Sequence, residues 1–112
     1  MKKSDSHQTF SPSDVGIKNG KLFGLPFDYE NSQVVVIPVP WEVTVSYRTG
    51  TAKGPQAILE ASTQVDLFDP VWPDGWRAGF YMLPEDKAWQ KRNAKLRQLA
   101  QKCISRLEQG VS

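Results

Sequence analysis

Apolar positions along this chain follow two different periods. Val34, Val35, Val36 and Ile37 form an unbroken β-branched run. Side chains alternate faces along a strand, so a run without alternation predicts a strand buried on both faces, as in an inner parallel strand covered by helices. A helix is the poorer reading, because β-branched side chains lose rotamer freedom there and the run is short. Pro38 and Pro40 end the strand, since proline has no N–H to donate. Beyond Gly54 the period becomes helical. Ala57, Ile58, Ala61, Ser62 and Val65 share one face, and Gln56, Glu60 and Gln64 fall elsewhere. Gly54-Pro55 marks the helix start, because proline suits the first helical position. Asp69-Pro70 closes the unit.

A second and longer helix is predicted over Glu85–Gln109. Trp89, Leu96, Leu99, Ala100, Cys103, Ile104 and Leu107 make its apolar stripe, expected to face a core. Glu85 and Asp86 in its first turn favour the helix dipole, and Gly110 suits its stop. Lys87, Lys91, Arg92, Lys95, Arg97, Lys102 and Arg106 make the remaining surface basic. A solvated face is the better reading of these cations than a membrane or calmodulin-like partner. Cys103, on the stripe, reads as packing and not as a nucleophile.

Between strand and first helix lies a polar loop, Trp41 to Lys53. Its alternation of Val43, Val45 and Tyr47 with Thr44, Ser46 and Arg48 also fits a short edge strand, though a loop is the better reading. Gly50 supplies a flexible point. Ligands of open α/β sheets collect at the carboxyl ends of strands, so Trp41, Glu42, Tyr47 and Arg48 stand where a site mouth could form. The plainer alternative has Arg48 paired with a carboxylate or carbonyl and Trp41 capping the core. Residues 1–14 read as a polar tail carrying the single histidine, His7. Residues 15–33 read as an extended apolar arm with turns at Asn19-Gly20 and Gly24, leaning toward a neighbouring subunit for its cover. Residues 34–112 then form the α/β part. Pro73-Asp74-Gly75 predicts a turn and Ala78–Leu83 a short strand. The aromatic group of Trp72, Trp76, Phe80 and Tyr81 with Met82 reads as packing in preference to a nucleic-acid stacking platform.

Composition narrows the function classes. At 112 residues the chain holds one domain at most. Fourteen basic and 12 acidic residues are interspersed, for a net charge of +2, which gives no electrostatic footprint for nucleic acid or a membrane. One cysteine excludes an internal disulfide and suits a reducing, cytoplasmic setting. A buried parallel strand needs sheet neighbours, and one strong strand with a few weak candidates suggests part of something larger. Glu42 and Glu60 read as isolated carboxylates with nothing to shift their titration, and His7 has no partner at metal-ligand spacing.

The spacing Ser46-Tyr47-Arg48-x-Gly50-x-x-x-Gly54-Pro55-x-Ala57-Ile58, preceded by a Val/Ile-Pro strand, resembles the amino-terminal part of agmatinase-type ureohydrolases of the arginase superfamily. Val65-Asp66-Leu67-Phe68-Asp69-Pro70 resembles the segment after that helix. Gly50, Gly54 and Pro55 match the family's loop glycines and Gly-Pro helix start. Thr49 departs from a usual proline, Pro38 from a common glycine, and Leu59-Glu60 from a common Ile/Leu-Arg pair. The resemblance implies a partial three-layer α/β/α sandwich of arginase type: the first parallel strand, its loop and helix, and a long outer amphipathic helix. It also implies hydrolysis of an agmatine-like guanidino compound to an amine and urea, a binuclear manganese centre, and a homo-oligomer. The family's Gly-Gly-Asp/Glu-His and Asp-x-His-x-Asp runs do not occur here. Catalytic and metal residues are therefore expected outside these residues, no metal is expected on this chain alone, and Asp66 and Asp69 are expected to be structural. The remainder of the ureohydrolase domain is the implied partner. The alternative is a non-catalytic interaction subunit docking on a larger ureohydrolase.

Overall fold

The computed structural model describes residues 10–110, so His7 lies outside the described residues. The chain divides into two compact units. One is built from residues up to Ile37 together with Gln56–Leu83, the other from Pro38–Pro55 together with residues from Pro84 onward.

In the first unit, strands β1 (Val34–Val36) and β2 (Phe80–Met82) pair in parallel, with Val34 opposite Phe80 and Val36 opposite Met82. Parallel neighbours need a long crossover, and helix α1 (Gly54–Ser62) lies between the two strands in sequence. The ladder continues past both ends, through Val34 N–H to the Gly79 carbonyl at 3.1 Å and Leu83 N–H to the Val36 carbonyl at 3.0 Å. This α/β arrangement is the partial fold that the resemblance implies. The predicted burial of β1 does not hold among the described residues: Val34 is 41% exposed, and Ile37, just past the strand, is 70% exposed. Two strands leave apolar edges and faces that no described neighbour covers. An open apolar cleft of about 670 Å³ results, lined by Val34, Val36, Ile58, Phe80 and Met82 among others.

The core of this unit comes from the arm. Leu25, Phe27 and Trp76 form its buried cluster, with Phe10, Phe23, Leu67 and Phe80 packed against it. Each fully buried side chain of this size contributes roughly 1.5–3 kcal/mol. Short 3-10 turns at Leu22–Gly24 and Tyr29–Asn31 fold the arm back on its own chain. The Asn19 side-chain amide fixes the first of them by donating to the Gly24 and Leu25 carbonyls at 3.3 and 3.2 Å. The lean toward a neighbouring subunit is therefore corrected for Leu22, Leu25 and Phe27, which the chain buries itself, while Val15 and Ile17 stay exposed. Trp76 stacks on Phe10 at 4.6 Å and Phe27 at 6.2 Å, which makes it a packing residue, whereas Trp72 is exposed.

Helix α1 forms where predicted, but of its predicted apolar face it buries Ser62 alone. Ala57, Ile58, Ala61 and Val65 are exposed, and Ser62 and Thr63 are buried. The reason is its anchor. Ser62 Oγ accepts the Phe23 N–H at 2.8 Å and donates to the Leu59 carbonyl at 2.7 Å. Asp66 and Asp69 cap turns, the first accepting from Phe68 N–H and the second from Val71 and Trp72 N–H.

In the second unit, helix α2 (Lys87–Glu108) begins later than predicted. Asp86 is its N-cap and accepts from Ala88 N–H at 2.8 Å, satisfying a donor the helix cannot. The apolar stripe is only partly covered. Leu96, Ala100 and Ile104 are half-buried, while Trp89, Leu99, Cys103 and Leu107 are exposed. Cys103 is thus corrected from a buried position to an exposed one. The 43–47 stretch forms no strand: a turn at Val43-Thr44 closes with Val45 N–H donating to the Glu42 carbonyl at 3.2 Å.

Candidate functional site

The loop from Trp41 to Lys53 follows β1 in the chain and leads into α1 through a 3-10 turn at Thr51–Lys53. Within its unit it is held by α2. Asn93 Oδ1 accepts the Glu42 N–H at 2.7 Å. One turn further along α2, the Arg97 guanidinium donates through Nη1 to the carbonyls of both Val43 and Val45. Trp41 stacks edge-on against Trp89, ring centres 5.4 Å apart. The base of the loop is thus tied to α2 through Trp89, Asn93 and Arg97.

Glu42 closes the loop from inside. Its Oε1 accepts two backbone N–H groups, Gly50 and Ala52, each at 2.9 Å. These bonds favour the charged form, so the Ala52 amide and then the Gly50 amide hold the carboxyl below its ordinary range, with the Arg97 and Lys53 cations adding to the effect. The sequence reading of Glu42 as an isolated carboxylate is corrected on this point. Gly50 has φ of 129°, a conformation that side chains rarely adopt, at the point where its N–H meets Glu42 Oε1.

The four predicted mouth residues divide in two. Trp41 and Glu42 are structural members of the loop base. Tyr47 and Arg48 stand at the tip, with Tyr47 87% exposed. The Arg48 guanidinium lies over the Tyr47 ring, 5.3 Å from its centre, a contact worth about 0.5–1 kcal/mol at an exposed position. Among the described residues no ion pair engages Arg48. Gly50 precedes the 3-10 turn, and Gly54 and Pro55 are the first two residues of α1. Sequence reasoning missed Asn93 and Arg97. Their signal was an i, i+4 pair of hydrogen-bonding side chains on one helix face, with Asn93 a poor helix former at mid-helix.

No group of three or more His, Cys, Asp or Glu that could hold a metal ion occurs among the described residues. These residues therefore do not fit the binuclear metal centre that the resemblance implies. No helix among them is long and apolar enough to cross a membrane.

The arginase family matches residues 32–109. The chain is 51% identical over 41 residues to the N(1)-aminopropylagmatine ureohydrolase of Synechocystis sp., a stretch covering 37% of this chain and 13% of that protein. It is 45% identical over 40 residues to the protein of the same name from Thermus thermophilus, covering 36% of this chain and 14% of the relative. The matched stretch thus spans about one seventh of the length of these relatives. No solved structure matches the chain. Because the family match takes in β1, the loop after it, both helices and β2, the chain belongs to the arginase family.

Proposed function

We propose that these residues form the amino-terminal portion of a ureohydrolase, which adds water to a guanidino compound and releases an amine and urea. The observation that carries this reading is the family match over 32–109, which takes in the loop held by Asn93 and Arg97. The relatives' names point to an agmatine-like substrate extended at one end. In this reading the present residues supply sheet scaffold and a site-mouth loop. Tyr47 offers a ring face that already takes a guanidinium, that of Arg48, which suits a guanidino ligand. The manganese ligands are assigned to residues outside those described, and no chemical step is routed through the present ones. A homo-oligomer and a cytoplasmic setting belong to the same reading, the latter supported by the single cysteine.

The test is urea release from agmatine and N(1)-aminopropylagmatine by the natural polypeptide supplied with manganese. Release from either compound supports the reading. Absence of release from both, by a folded and metal-loaded protein, overturns it. The second reading, an interaction subunit, draws on the exposed apolar edge of β1. It predicts that the polypeptide co-purifies with a larger ureohydrolase.

A further inference from the structure

We propose that Glu42 is a positioning residue, a latch that orders the 43–52 loop and so presents Tyr47 and Arg48 to a ligand. The inference rests on the reading above for the identity of that ligand, a guanidino compound, and on this chain's own geometry for the latch.

Three observations converge. First, a single carboxylate oxygen, Oε1 of Glu42, accepts N–H groups eight and ten residues further along the chain. Two charge-assisted bonds on one atom close the loop into a ring. Second, Glu42 is itself fixed, since its own N–H is taken by Asn93 and the carbonyls after it by Arg97. The latch therefore ties the base of the loop, held by α2, to the 3-10 turn that leads into α1. Third, the segment it closes, Ser46 to Thr49, is exposed throughout. Beyond the Arg48–Tyr47 contact itself and the Arg97 bond to the Val45 carbonyl, the closure at Gly50 and Ala52 is what ties this segment down among the described residues.

The consequence is a split between binding and chemistry. Without the latch, the two freed amides turn to water and the tip samples more conformations. A ligand that needs Tyr47 and Arg48 in one place must then order them itself, which weakens binding and leaves the reacting centre as it was. An isosteric amide keeps an acceptor oxygen without the charge, so Glu42→Gln retains part of the function. A carboxylate one methylene shorter cannot span to both amides, so Glu42→Asp keeps the charge and loses the reach.

The experiment compares wild type, Glu42→Gln, Glu42→Asp and Glu42→Ala of the natural polypeptide by amide hydrogen exchange and by urea release from agmatine. Protection at Gly50 and Ala52 is expected to fall about tenfold in Glu42→Ala and Glu42→Asp, and less in Glu42→Gln, while α2 amides stay within about twofold. KM is expected to rise about five- to tenfold in Glu42→Ala with kcat within about twofold, and Glu42→Gln is expected to recover much of the loss. Unchanged protection in Glu42→Asp and Glu42→Ala overturns the latch, and Glu42→Asp alone decides if Glu42→Ala does not fold. Lost protection with unchanged KM overturns the role in presentation. A wild type that releases no urea from agmatine or from N(1)-aminopropylagmatine removes the enzymatic reading, and exchange alone then judges the latch.

Discussion

Ser62 and Phe23, 39 residues apart in the sequence, are joined by a 2.8 Å hydrogen bond from the Phe23 N–H to the Ser62 hydroxyl oxygen. The same hydroxyl donates to Leu59, so its hydrogen-bonding capacity is spent in two directions. Phe23 sits at φ of 59°, an uncommon value for a side-chain-bearing residue, and this bond is one of the contacts that hold it there. Ser62→Ala removes the acceptor and leaves a partly buried N–H without it. The expected cost is about 1–2 kcal/mol, read from urea denaturation of the natural polypeptide. Ser46→Ala, at an exposed loop position, is expected to stay within about 0.5 kcal/mol and serves as the control.

Gly54 and Pro55 are expected to depend on each other. Gly54 is in the right-handed helical region, φ −56° and ψ −47°, immediately before a proline. A residue with a Cβ avoids that region when proline follows, because the ring crowds it. Gly54→Ala therefore costs about 1 kcal/mol, although a Cβ there would meet nothing else within 4 Å. Replacing Pro55 by Ala as well should remove most of that cost. A double-mutant cycle measures the coupling, expected at about 0.5–1 kcal/mol. Additive effects would contradict the steric account.

Acid should open the Glu42 loop. A carboxyl held below its unfolded value stabilises the folded form at all pH above that value, and the contribution is lost as pH falls through the folded one. The unfolded value lies near 4.5, and the Ala52 and Gly50 amides set the folded one lower. Protection factors at Gly50 and Ala52 should therefore be flat from neutral pH down to about 5, and should decline only below 4.5. A decline centred near pH 6 would assign the loop's order to another group.

How much was legible follows from what each signal encodes. The strand at Val34, the helix after Gly54-Pro55 and the strand near Phe80 are visible because local period and punctuation specify them. The long helix is visible for the same reason, and its start shifts only because Asp86 caps it from outside. What sequence did not show is which face each helix buries. Ile58 and Leu99 carry helical periodicity, but the described residues offer them no cover. The arm's role was hidden too. Leu22, Leu25 and Phe27 have neither strand nor helix period, and only the turns at Leu22–Gly24 and Tyr29–Asn31 bring them onto Trp76. At the loop, Trp41, Glu42, Tyr47 and Arg48 were found by position after a strand. That Glu42 accepts two amides depends on the backbone path through Gly50, which spacing alone does not fix.

The most direct test of the central claim is the intact mass of the natural gene product, isolated from its own cells. An amino-terminal portion of a ureohydrolase predicts a mass well above the 12.6 kDa of these residues. A mass of 12.6 kDa would contradict the claim and leave a protein of the arginase family whose role lies in what it binds.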